Sequence, residues 1–192
     1  MKPLLGLLTI ICASATTWAQ GTVSFSNTVF ADQANPRLVT LDGLPLTGTD
    51  LVAQLYYGTQ GTAMGSLTAV GAVARFRVNT TSQPGTWSGG TRTLPGITAG
   101  QTATLSVRVW NATLFPAGYD TAVAGGGLRG SSALFDYTVP SSGTPAPNEF
   151  WMWNFGGMAV MVPERSTIAL GVLGALGLLV LRRGPASRQV VG

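Results

Sequence analysis

Between residues 20 and 162 no stretch keeps a helical period across three turns, and short runs alternate instead in the period of a β-strand. Val23 and Phe25 alternate with Thr22, Ser24 and Ser26; Leu51, Ala53 and Leu55 alternate with Val52 and Gln54. Leu105, Val107 and Val109 alternate with Thr104, Ser106 and Arg108, which reads as a half-buried strand. Further candidate strands cover 74–78, 134–139 and 150–161. Turn chemistry separates them: Asp42-Gly43, Gln83-Pro84-Gly85, Ser88-Gly89-Gly90, Ala99-Gly100 and Ser141-Ser142-Gly143. Residues 141–148 read as a loop or a hinge to the last strand. Short strands, glycine and proline turns and no helices predict an all-β chain, a single antiparallel β-sandwich of Ig-like or jelly-roll-like kind. Residues 20–162 suffice for one hydrophobic core and are too few for two.

Both ends of the chain differ in kind from this stretch. Lys2, an apolar run over 4–13 and Thr17-Trp18-Ala19 form the pattern of a secretory signal peptide, with cleavage expected after Ala19. The net charge of +4 also belongs to the ends, to Lys2, Arg165, Arg182, Arg183 and Arg188 set against Glu164. Between them six arginines (Arg37, Arg75, Arg77, Arg92, Arg108, Arg129) meet six acids (Asp32, Asp42, Asp50, Asp120, Asp136, Glu149). The basic balance is therefore no sign of a nucleic-acid surface, and no nucleic-acid partner is expected. The single cysteine, Cys12, lies in the signal segment, so the domain over 20–162 has no disulfide and no thiol chemistry.

The C-terminal segment begins with Val162, Pro163, Glu164, Arg165, Ser166 and Thr167, runs apolar from 168 to 181 and closes with Arg182 and Arg183. Fourteen residues make a helix of about 21 Å, shorter than the roughly 30 Å hydrocarbon core of a bilayer. Ser166 or Thr167 can cap its start, and the arginine pair can hold the far end at the cytoplasmic headgroups. Gly171, Gly174 and Gly177 suit a short, transient transmembrane-type helix rather than a comfortable permanent anchor. This three-part layout resembles the PEP-CTERM sorting signal of Gram-negative bacteria. Arg165 stands where that family usually has a second proline, and residues 184–192 continue past the arginine pair.

The resemblance, confined to about residues 162–183, implies processing by exosortase, an integral-membrane transpeptidase-like enzyme, after signal peptidase has acted. It implies a precursor anchored in the inner membrane through 168–181. The domain is then released to, or attached at, the cell surface, in bacteria that often make exopolysaccharide and biofilm. The expected organisation is a signal peptide (1–19), an exported domain (20–162), a sorting segment (163–184) and a cytoplasmic tail (185–192). An ordinary tail anchor is the alternative.

Little in the domain can carry chemistry. The chain has no histidine, and residues 20–162 have neither lysine nor cysteine, which excludes zinc, Cys–His and Ser–His–Asp centres. No catalytic, cofactor-binding or metal-binding residue is expected. What remains is a carboxylate pair of the glycosidase kind, for which Asp120 with Asp136, or Asp32 with Asp42 or Asp50, are formal candidates. Isolated aspartates in such settings are more often turn residues. Gly125-Gly126-Gly127-Leu128-Arg129-Gly130 matches Gly-x-Gly-x-x-Gly, but the next residues read as a strand rather than a helix. It is expected to be a flexible loop.

The tryptophans offer the remaining contacts. Trp151, Trp153 and Phe155 would share one face of a strand, with Phe150 and Met152 on the other. The favoured reading is a central strand buried on both faces, the alternative a stacking platform for sugar rings. Trp87, in a Gly/Ser/Pro loop, and Trp110, out of phase with Val107 and Val109, are expected to be more exposed. The expected role is structural or interactive, in the envelope or exopolysaccharide. A carbohydrate-binding module is the alternative, and a carboxylate-dependent glycoside hydrolase a remote one.

Overall fold

The computed structural model describes residues 20–28, 37–78, 83–141 and 147–163. The signal segment, Asp32, Ser142-Gly143 and every residue from Glu164 onward lie outside them, and with these the expected membrane helix over 168–181. Among the described residues no helix is long and apolar enough to cross a membrane.

The described chain is mostly β-strand. In order come β1 (Gln20–Ser26), β2 (Val39–Leu41), β3 (Leu44–Pro45), β4 (Leu51–Thr59), β5 (Thr68–Arg75), β6 (Ser88–Thr98) and β7 (Thr102–Asn111). After them come a helix α1 (Tyr119–Gly125) and the strands β8 (Arg129–Ser131), β9 (Phe135–Thr138) and β10 (Met158–Val160). β1 pairs antiparallel with β6. A larger antiparallel sheet runs β5-β4-β7, and both β8 and β9 pair with the far edge of β7. A third sheet runs β10-β2-β3, where β10 lies parallel to β2, an exception to the expected antiparallel pairing. Isolated bridges stitch the sheets at their margins, Phe76 to Trp87 and Arg129 to Met161.

Local chemistry explains the tight turns. Asp42 and Gly43 have φ of 51° and 79°, and Leu41 faces Leu44 across them. This is the two-residue hairpin that an Asp-Gly pair favours, with both central residues left-handed. Pro84 and Gly85 form the next turn. Gly85 has φ 76°, and the Thr86 hydroxyl donates to the Gln83 carbonyl at 2.6 Å. Ser88-Gly89-Gly90, expected as a turn, lies inside β6. Gly89 passes so close to Phe25 that a Cβ there would sit 2.5 Å from its Cδ1. Gly90, with φ 72°, marks a register shift against β1.

One hydrophobic cluster draws side chains from all three sheets, among them Phe25 of β1, Leu94 of β6, Leu55 of β4, Leu105 and Val107 of β7, and Val39 of β2. β7 is buried along nearly its whole length on both faces, not half-buried as its alternation suggested. Its odd residues enter the core. Its even residues are covered from outside: Thr104 accepts from the Gly61 amide at 2.9 Å, Ser106 meets Ser131 and Ser132, and Trp110 lies under α1.

α1 is itself a departure from the helix-free expectation. It is too short to show a period over three turns. Its stop explains the glycine run: the Gly126 amide donates to Val123 at 3.2 Å, the Gly127 amide to Ala122 at 2.9 Å, and Gly126 is left-handed (φ 63°). That is a Schellman stop. A Cβ on Gly125 or Gly127 would overlap Phe115. Residues 125–130 are thus a helix stop leading into β8, not a flexible loop.

The expected strand over 150–161 does not form as one element. A 3-10 turn (Pro147–Phe150), a bridge at Trp151 and a tight turn in which the Phe155 amide donates to Met152 at 2.9 Å precede β10. Gly157, with φ 79°, then redirects the chain alongside β2. The apolar pattern there comes from a loop that drops Met152 and Phe155 into the core, both fully buried.

Candidate functional site

The tryptophans are sorted by tertiary packing in a way their neighbours did not suggest. Trp87 is fully buried, ringed by Phe25, Phe76 and Phe155 at centroid distances of 5.4, 5.6 and 5.6 Å. Trp110 is 3% exposed, its ring edge-on to Tyr119 and its Nε1 donating to the Phe115 carbonyl at 3.1 Å. Neither can stack on an external ring, so the expectation of exposed contacts at Trp87 and Trp110 is corrected. Trp87 is covered by Phe25 and Phe155 from far along the chain, and Trp110 by the segment that directly follows β7.

Trp151 and Trp153 are brought together. Their centroids are 5.2 Å apart with the planes inclined at 43°. Trp151 is half-buried and Trp153 is 41% exposed, so the expected double-sided burial does not hold for this pair. The Arg37 guanidinium lies 5.2 Å from the Trp153 centroid. The pair sits on the loop ahead of β10, and Trp151 bridges to Ser24 of β1.

One residue on, Asn154 donates to the Asp136 backbone carbonyl at 2.7 Å and lines an open depression of about 620 Å³. Gln60, Thr62, Thr104, Leu134 and Asp136 also line it. The Asp136 carboxylate accepts from the Thr104 hydroxyl at 2.9 Å and from Gln60 Nε2 at 3.5 Å. Carboxylate, amides and hydroxyls therefore line the depression, the donor and acceptor set that suits a polyhydroxylated ligand, and Trp153 directly precedes Asn154 in the chain.

The formal carboxylate pairs gain no shared partner. Asp136 is held at Thr104, whereas Asp120 lies 3.9 Å from Arg108, with its side chain 90% exposed. Thr104 and Arg108 are four residues apart on β7, so the two carboxylates are held by different side chains. Asp50 accepts from Thr113 at 2.8 Å, and Asp42 occupies its hairpin turn. Among the described residues no three carboxylates, histidines or cysteines converge on a metal-sized site.

Of the sorting residues, Val162 is 57% exposed and Pro163 half-buried; Glu164, Arg165, Ser166, Thr167, Arg182 and Arg183 lie outside the described residues. Sequence reasoning missed Arg37, Asn154 and the Asp136–Thr104 pair. Asn154 adjoins Trp153, which was a usable signal. The cross-strand pairing of Asp136 with Thr104 had none. The chain matches no protein-family model, no curated protein and no solved structure.

Proposed function

We propose that this chain is an exported bacterial surface or matrix protein in which one non-enzymatic β-sandwich is delivered by a signal peptide and a PEP-CTERM-like C-terminal signal. The single observation that carries the reading is the charge-balanced β-rich body between two ends that hold all the net charge. A sandwich of Ig-like or jelly-roll-like kind is favoured by one core that draws on strands from separate sheets. Mass spectrometry of the surface fraction tests the route. A form starting near Gln20 and lacking 168–192 is expected, and a C-terminus still intact at the surface overturns processing.

A second reading, a carbohydrate-binding module, is favoured by the Trp151–Trp153 pair, of which Trp153 is exposed, and by the Asp136 depression that the following residue, Asn154, lines. An indole face takes the apolar face of a sugar ring, while amides and a carboxylate bind its hydroxyls. Glycan-array and titration binding with Trp153→Ala and Asp136→Ala test it. Loss of binding in both is expected, and unchanged binding removes this site.

A further inference from the structure

The four most exposed large apolar side chains among the described residues are Leu44 (72%), Leu114 (69%), Met161 (63%) and Val162 (57%). They are dispersed in sequence, yet strand register gathers them at one end of the molecule. Asn111 ends β7 and leads to Leu114. Trp110 pairs with Arg129, Arg129 bridges to Met161, Val160 pairs with Leu41, and Leu41 faces Leu44. Four inter-strand steps of about 4.8 Å spread this rim over roughly 19 Å. The opposite end, around the 59–62 and 99–102 turns, presents Thr59, Gln60, Gln101 and Thr102 instead.

The same rim is where the chain leaves the domain. Only residues 164–167 separate Pro163 from the apolar run over 168–181, a reach of at most roughly 17 Å when fully extended. We propose that this apolar rim is the face with which the domain rests on the lipid surface while the precursor is anchored. The proposal builds on the reading that 168–181 enters the membrane. The occupant is a zwitterionic phospholipid interface. Asp42 and Asp50 lie at this end together with Arg75, Arg77 and Arg129, an imbalance of one charge that is too small to require anionic lipid. Interfacial seating of apolar side chains about 5–10 Å into the headgroup boundary needs no further fold change.

The test uses the full chain with Cys12→Ser, reconstituted in phosphatidylcholine vesicles that carry headgroup spin labels. A fluorophore is placed singly through Leu44→Cys, Leu114→Cys or Ala99→Cys. Flotation of the chain with roughly twofold stronger lipid quenching at 44 and 114 than at 99 is expected. Flotation with equal quenching at all three positions, or none at 44 and 114, overturns the proposal and leaves the anchor standing. Protection of 44 and 114 from aqueous iodide without lipid quenching overturns it in favour of the 168–181 segment covering the rim. No flotation overturns the anchor reading, and the proposal with it.

Discussion

The Tyr137 hydroxyl donates to the Thr22 carbonyl at 2.6 Å, joining β9 to β1 across 115 residues of sequence and two sheets. Tyr137 is 5% exposed, and Gly21 of β1 lies against Val139 just beyond β9. The bond therefore ties the edge of the larger sheet to the two-stranded one from inside the core. Tyr137→Phe leaves that carbonyl without its partner and is expected to cost about 1–2 kcal/mol. Urea denaturation at neutral pH checks this.

The same residue sets a pH dependence. Burial, with a smaller contribution from Glu149, pushes the Tyr137 hydroxyl well above its ordinary value of 10.0. Above that value the unfolded chain gives up the proton while the folded chain keeps it, so unfolding is favoured as pH rises. The stabilisation is complete below pH 10 and drains away above it. Tyr137→Phe is expected to show a shallower alkaline loss. A residual slope remains from Tyr56, which burial also raises. Urea midpoints measured from neutral pH to about pH 11 in both proteins decide it.

The buried and exposed tryptophans are expected to separate cleanly in stability. Trp87→Ala empties the centre of the Phe25, Phe76 and Phe155 cluster and is expected to cost about 3–5 kcal/mol. Trp153→Ala, at a 41% exposed position, is expected to cost about 1 kcal/mol or less. Chemical denaturation of the two variants provides the measurement.

Arg108 pins the outer layer to β7. Its guanidinium stacks on Tyr56 at 4.0 Å, lies 5.2 Å from the Tyr119 centroid and donates to the Met64 carbonyl at 2.9 Å. Arg108→Met keeps the stem and loses all three contacts, for an expected cost of about 1–3 kcal/mol. Amide exchange across Tyr119–Gly125 is expected to speed up. Asp120→Asn is expected to change stability by under about 0.5 kcal/mol, because its carboxylate is 90% exposed.

Gly126 stops α1 in the left-handed region at φ 63°. Gly126→Ala is expected to cost about 1 kcal/mol through backbone strain alone, since an L side chain is disfavoured there. Thermal unfolding of the variant checks it. A loss no larger than that of an exposed surface substitution would show that residues 126–127 reorganise without cost.

What the sequence by itself determined was local. Alternating Val23/Phe25 and Leu51/Ala53/Leu55 fixed two strands, and Asp42-Gly43 fixed a hairpin through the φ its residues prefer. The charge balance of residues 20–162 also needed no coordinates. Tertiary structure decided whatever depended on a second surface. Period-two alternation describes one face of β7, while α1, which follows it in the chain, and the 60s loop, from 43–44 residues upstream, cover the other. Burial of Trp87 under three phenylalanines and exposure of Trp153 follow from the same cause. A side chain's solvation depends on what packs over it, and that is set by sheet pairing across long separations rather than by its neighbours in sequence.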